Sequence, residues 1–168
     1  MNAPNIPLPS KLDDTLGFDA AEPKALTIYQ CDFPRIGNLP QIEGQEIKVR
    51  RSPHPARLDR EHTYWHMVSK GDEQEGADES LREPDITRLV RISWAKPLLL
   101  HYLNPTLKRW REVKYGLWSV YVWHPKVNYL IVLRERSKEL FLTTTYCPES
   151  IIKYHNKWSV AKKAGHTF

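Results

Sequence analysis

Between Tyr129 and Tyr146 the chain carries two largely apolar runs, Tyr-Leu-Ile-Val-Leu-Arg-Glu-Arg and Glu-Leu-Phe-Leu-Thr-Thr-Thr-Tyr, separated only by Ser137 and Lys138. Rich in β-branched and aromatic residues, they predict two adjacent strands joined by a short charged turn. A period of two puts Leu140, Leu142, Thr144 and Tyr146 on one face, and gives Leu130, Val132, Arg134 and Arg136 a common face on the neighbouring strand. Two arginines, a threonine and a tyrosine then converge at one end of a small sheet. Such a grouping suits a phosphate better than a core.

Upstream, Leu117–Trp123 is a third strand, linked through His124-Pro125-Lys126 to a strand at Asn128–Arg136, and Glu139–Cys147 completes an antiparallel meander. Asp85–Leu103 has the best helical spacing, with Ile86, Leu89, Val90, Trp94, Leu98 and Leu99 recurring near a helical period and Pro97 expected to break or kink it. Pro148-Glu149-Ser150 opens a last helix running to about Lys163. Glu46–Arg51 is a strand, His62–Ser69 reads as a strand or a short helix, and Lys70–Pro84, polar and acidic, reads as a mobile loop. The predicted fold class is α+β, an antiparallel β-meander with helices packed on one face. Residues 1–43, with six prolines, read as an extended acidic arm with at most a short strand at Leu26–Tyr29 and a regulatory role in restraining the basic half; residues 44–168 read as a single α+β domain.

Charge sharpens this picture. Residues 1–85 hold 10 Lys and Arg against 16 Asp and Glu, a balance of −6, whereas residues 86–168 hold 15 against 4, a balance of +11. The basic half is an anion-binding surface for which nucleic acid is the leading partner, unless it serves only solubility. No apolar run is long enough for a membrane span and no secretory leader is evident, so a cytoplasmic protein is expected. Cys31 and Cys147 are too few for a disulfide scaffold or a cysteine metal cluster.

The run Thr63-Tyr64-Trp65-His66-Met67-Val68-Ser69, the segment Arg91-Ile92-Ser93-Trp94-Ala95-Lys96-Pro97, and then Tyr129–Arg134 and Leu142–Tyr146 resemble the small ribonucleases of phages and mobile elements in the barnase, EndoU, colicin and RelE group. The resemblance covers roughly residues 46–160. It implies a ribonuclease-toxin-like fold, an endoribonuclease that needs no cofactor and acts as a toxin or defence effector on tRNA or mRNA, and an antitoxin or inhibitory partner. By matching position it implies His66, Thr144 and Tyr146 as site residues, with Arg134 beside them. The second histidine common in EndoU-like members has no clear counterpart in the sequence.

The residue types fit that chemistry. An imidazole exchanges protons near neutral pH, guanidinium groups neutralise a phosphorane, and Thr or Tyr hydroxyls hold a phosphate. Each has a plainer reading: His66 as a buried structural histidine, Arg134 and Arg136 as a charged hairpin with Glu135 and Glu139, Thr143–Thr145 as a strand-forming run, and Tyr146 as a core aromatic. Lys108, Arg109, Trp110, Arg111 and Lys114 interleave a ring with positive charge, as in a track for unpaired bases, and Lys153 and Lys157 add phosphate contacts from the last helix. His101, His124 and His155 are too scattered to assign. Two rival functions stand beside the ribonuclease. One is a non-catalytic nucleic-acid or partner-binding module. The other is a magnesium-dependent restriction-type nuclease using Asp85, Glu112 and Lys114, although Asp85 reads equally well as a helix cap.

Overall fold

The computed structural model describes residues 5–72 and 76–168. Its elements are α1 (Phe18–Asp32), β1 (Gln41–Ile42), β2 (Gln45–Lys48), β3 (Pro53–His54), β4 (Arg57–Glu61), α2 (His62–Val68), β5 (Ser69–Lys70), β6 (Glu83–Pro84), α3 (Ile86–Leu89), α4 (Ala95–Leu100), β7 (Lys108–Lys114), β8 (Leu117–His124), β9 (Tyr129–Arg136), β10 (Glu139–Tyr146) and α5 (Ile151–Lys163). The α+β class holds. No described helix is long and apolar enough to cross a membrane.

The predicted meander is present and one strand longer, because Lys108–Lys114 pairs antiparallel with β8. Two of its three turns are the tight hairpin kind that need positive φ at both central residues: Tyr115 and Gly116 at +54° and +73°, and Ser137 and Lys138 at +51° and +66°. The sheet is mixed rather than antiparallel throughout. Its order is β1-β2-β10-β9-β8-β7, and β2 joins β10 in parallel with Ile47 opposite Leu140.

Helices cover both faces, not one. Val120, Val122, Ile131, Leu133, Leu140 and Leu142 face the main core with α1 to α4. Tyr121, Trp123, Leu130 and Val132 face the other way, where Trp110 and α5 cover them. That is why β8 is buried along six consecutive residues, as a strand sandwiched between two layers must be.

The N-terminal segment departs most from the sequence expectation. In place of an extended arm with a strand at Leu26–Tyr29, residues Phe18–Asp32 form a helix that sends Ala21, Ala25 and Tyr29 into the main core. Pro23 stands inside that helix, where it normally costs about 3 kcal/mol. Burial of the aromatic face outweighs it. Over Asp85–Leu103, helix is present but broken at Val90–Arg91 rather than at Pro97, which falls in the first turn of α4, where its missing N–H has no intrahelical partner to lose. Of the expected loop over Lys70–Pro84, residues 73–75 lie outside the described part; the rest is closed by the β5–β6 pair and a 3₁₀ turn at Glu79–Leu81 capped by Asp78.

Candidate active site

A β-bulge makes the site. The β9–β10 register slips between Leu142 and Thr144, so Leu142 lies opposite Leu133 while Thr144 lies opposite Val132 and Tyr146 opposite Leu130. The extra residue, Thr143, reverses the alternation. Leu140 and Leu142 therefore point into the main core, and Thr144 and Tyr146 turn to the face that carries Val132, Arg134 and Arg136. The expected convergence is present, but the single face expected for Leu140, Leu142, Thr144 and Tyr146 is not.

Beyond Phe141, β10 has no strand on its outer side, and α2 takes that place. Thr63 Oγ donates to the Leu142 carbonyl at 3.3 Å and Thr144 Oγ donates to the His66 carbonyl at 2.7 Å. Every residue of α2 is buried. Trp65 anchors it, edge-on to Phe18 with ring centres 6.0 Å apart and under the Arg57 guanidinium at 5.0 Å. Thr144 is thus a positioning residue: its proton goes to the His66 backbone and not to a phosphate. Thr144→Val is expected to cost roughly 1–3 kcal/mol by leaving that buried carbonyl unpaired, read as a drop in thermal midpoint.

One turn of helix aligns two histidines. His62 and His66 lie four residues apart, and their rings stack with centres 4.5 Å apart and 14° between planes. His54 from β3 approaches both, at 4.9 Å and 5.1 Å between ring centres. Glu79 from the 3₁₀ turn closes the group, 2.9 Å from His62 Nε2 and 3.6 Å from His66 Nε2. Arg50 Nη1 also reaches His62 Nε2, at 3.0 Å. A guanidinium only donates, so that nitrogen either accepts from Arg50 or, when protonated, donates to Glu79. The backbone N–H of Ala56 donates to His54 Nδ1 at 3.0 Å, which leaves the His54 proton on Nε2.

Burial lowers the pKa of all three imidazoles: His54 to about 4, with the neighbouring His62 adding to the effect; His66 far below the ordinary value, with Arg82 adding; and His62 against the opposing pull of its Glu79 hydrogen bond. All three shifts favour the neutral ring. A phosphate entering beside them offsets the arginine field and favours the charged ring.

His62, His66 and Glu79, though not His54, line a cavity of about 410 Å³ together with Arg50, Arg82, Tyr121, Arg134, Arg136 and Tyr146. Arg134 Nε is buried there without a hydrogen-bond partner among the described residues. Tyr146 shares a 2.5 Å hydroxyl contact with Tyr154, and the Arg88 guanidinium lies 5.2 Å from its ring centre. Lys114 and Tyr115, at the β7–β8 turn, form the rim.

The four residues expected to be catalytic, His66, Arg134, Thr144 and Tyr146, do border one cavity. The expected nucleic-acid track does not hold together. Trp110 is fully buried, stacked on Tyr121 at 4.8 Å beneath α5, and is a core anchor rather than a base platform. Lys108 lies over the Trp158 ring and beside His155, Arg109 donates to the Tyr102 carbonyl, and Arg111 pairs with Glu43. Lys157 holds Glu112 at 2.9 Å. Lys153 is exposed, and Arg136 and Lys114 remain at the cavity.

The magnesium reading has no common centre. Asp85 caps α3 and pairs with Arg88, whereas Glu112 sits on β7, the sheet edge three strands from β10. His54, His62, Glu79, Arg50 and Arg82 were not picked out in the sequence; the His62-x₃-His66 spacing, read on a helix, is the signal that would have found the second histidine. No family model, curated protein or solved structure matches the chain.

Proposed function

We propose that this protein is an endoribonuclease, of toxin or defence-effector type, that cleaves RNA such as tRNA or mRNA by attack of the substrate's own 2′-hydroxyl. The observation that carries the reading is the meeting, in one cavity, of a stacked histidine pair with an arginine whose Nε is buried and unpartnered. The chemistry needs only proton transfer and charge neutralisation. With one ring of the His62–His66 pair protonated from solvent beside the bound phosphate, the neutral ring takes the 2′-hydroxyl proton, the 2′-oxygen bonds to phosphorus, and the 5′-oxygen leaves with the proton of the charged ring, so that the pair ends with its protons exchanged. Products are a 2′,3′-cyclic phosphate and a 5′-hydroxyl. Arg134 and Arg136 neutralise the phosphorane and Tyr146 sits where it would contact the scissile nucleotide.

Incubation with total tRNA and with single-stranded DNA in EDTA, followed by end-group analysis, tests this. Cyclic-phosphate ends on RNA and intact DNA are expected. Binding without cleavage would replace the nuclease with a non-catalytic binding module. Arg134→Ala is expected to weaken RNA affinity by about ten- to a hundredfold, since a charge-assisted contact is worth roughly 1.5–3 kcal/mol; filter binding reads the loss. The host should tolerate the active protein only alongside an inhibitory partner, so healthy high-level expression alone would count against the toxin reading.

A further inference from the structure

We propose that His62, His66 and Glu79 also form a site for a zinc-class dication, and that filling it silences the RNA site. The second clause rests on the ribonuclease reading; the first does not.

Donor atoms of His54, His62, His66 and Glu79 all lie within 4.8 Å of one another. Around a tetrahedral zinc with bonds of about 2.0–2.1 Å, two ligands stand about 3.3 Å apart. The Glu79 oxygens stand 2.9 Å and 3.6 Å from the two imidazole nitrogens, on either side of that value. The histidine pair is four residues apart on one helical face, a spacing that suits two ligands of one ion. His66 Nε2 is buried with no hydrogen-bond partner among the described residues, on a side chain only 11 % exposed that faces the group. Such an orphaned nitrogen is costly unless something visits it.

His54 has a different place. Its Nδ1 accepts from Ala56, so its Nε2 carries the proton and donates instead of ligating. That Nε2 is likewise buried without a partner. It is placed to hydrogen-bond the fourth ligand, a water or a phosphate oxygen, of a two-histidine, one-carboxylate site. Glu79, with a side chain 44 % exposed, gives the ion a way in from solvent. Against the ion stand Arg50, which must release His62 Nε2, and the nearby Arg82. The site is therefore weaker than a structural zinc centre, and removing Arg50 strengthens it. An ion bound there takes the lone pairs of both proton-transferring imidazoles, so RNA cleavage stops.

The probe is Co²⁺, titrated into EDTA-stripped protein and followed by the intense visible bands of four-coordinate cobalt. One equivalent is expected to bind the wild type, with Zn²⁺ displacing it. His62→Ala, His66→Ala and Glu79→Gln should each lower affinity by at least about tenfold, and Arg50→Gln should raise it several-fold. Glu79 lies on a surface turn, so Glu79→Gln keeps the fold even if the histidine variants do not. No cobalt band, or a band unchanged in Glu79→Gln, overturns the site. Cleavage that persists at saturating Zn²⁺ overturns the silencing alone. Absence of RNA cleavage in EDTA defeats the ribonuclease reading and leaves the binding result standing.

Discussion

His66→Gln is expected to lower RNA cleavage by roughly 10²–10⁴-fold, the usual worth of one positioned acid or base, while RNA affinity changes little. Glutamine is chosen because His66 is buried and alanine would leave a void in a helix with no exposed residue. The His66 carbonyl is held by Thr144 at 2.7 Å, so α2 keeps its seat on β10 whichever side chain occupies the position. His62→Gln should do similar damage, because His62 stacks on His66 and borders the same cavity. Under the proposed mechanism the pair is one proton relay, so the two losses should not add. Single-turnover cleavage of a short RNA, with thermal melting as the check on folding, measures this. A folded double variant of His62 and His66 that still cuts RNA would remove both from the mechanism.

Three strands of the meander, β8 to β10, were legible in the sequence because alternation and turn chemistry are local, whereas β7 was hidden by the basic residues that make it look like a nucleic-acid track. The meander, its hairpins and the arginine pair on β9 follow from neighbours in the chain. What stayed hidden depends on distant partners. Thr143 gives no local sign of being an extra residue; the bulge exists because α2 meets β10 through Thr63 and Thr144. Trp110 between basic residues looks like a base platform until α5 is laid over it. His54 and Glu79 are brought to His62 by β3 and by a 3₁₀ turn whose positions no periodicity specifies. Asp85 is the reverse case: its cap on α3 was visible as a local signal, and the structure keeps it.

Removing residues 1–43 is expected to abolish folding rather than release a restrained enzyme. An acidic, proline-rich segment ahead of a basic domain invites a regulatory reading, and the packing argues against it. Tyr29 and Phe33 are each 1 % exposed, and Ala25 is fully buried. Tyr29 packs at a tilt against Tyr64 of α2 with ring centres 5.2 Å apart and donates to Glu61, which also holds Arg51 at 3.0 Å. Glu22, 7 % exposed at its side chain, binds Arg60 at 2.7 Å. Deletion removes two fully buried aromatic residues worth about 1.5–3 kcal/mol each, takes Phe18 from the edge of Trp65, leaves Arg60 without that carboxylate, and bares the underside of the helix that carries both histidines. Against a total stability of about 5–15 kcal/mol the loss is decisive. Tyr29→Ala alone should cost about 3–5 kcal/mol, as large aromatic truncations do. Circular dichroism and proton-amide dispersion of the truncated chain read the result. A truncated protein that melts cooperatively near the wild-type temperature would show that α1 is dispensable and restore the segment as a detachable arm.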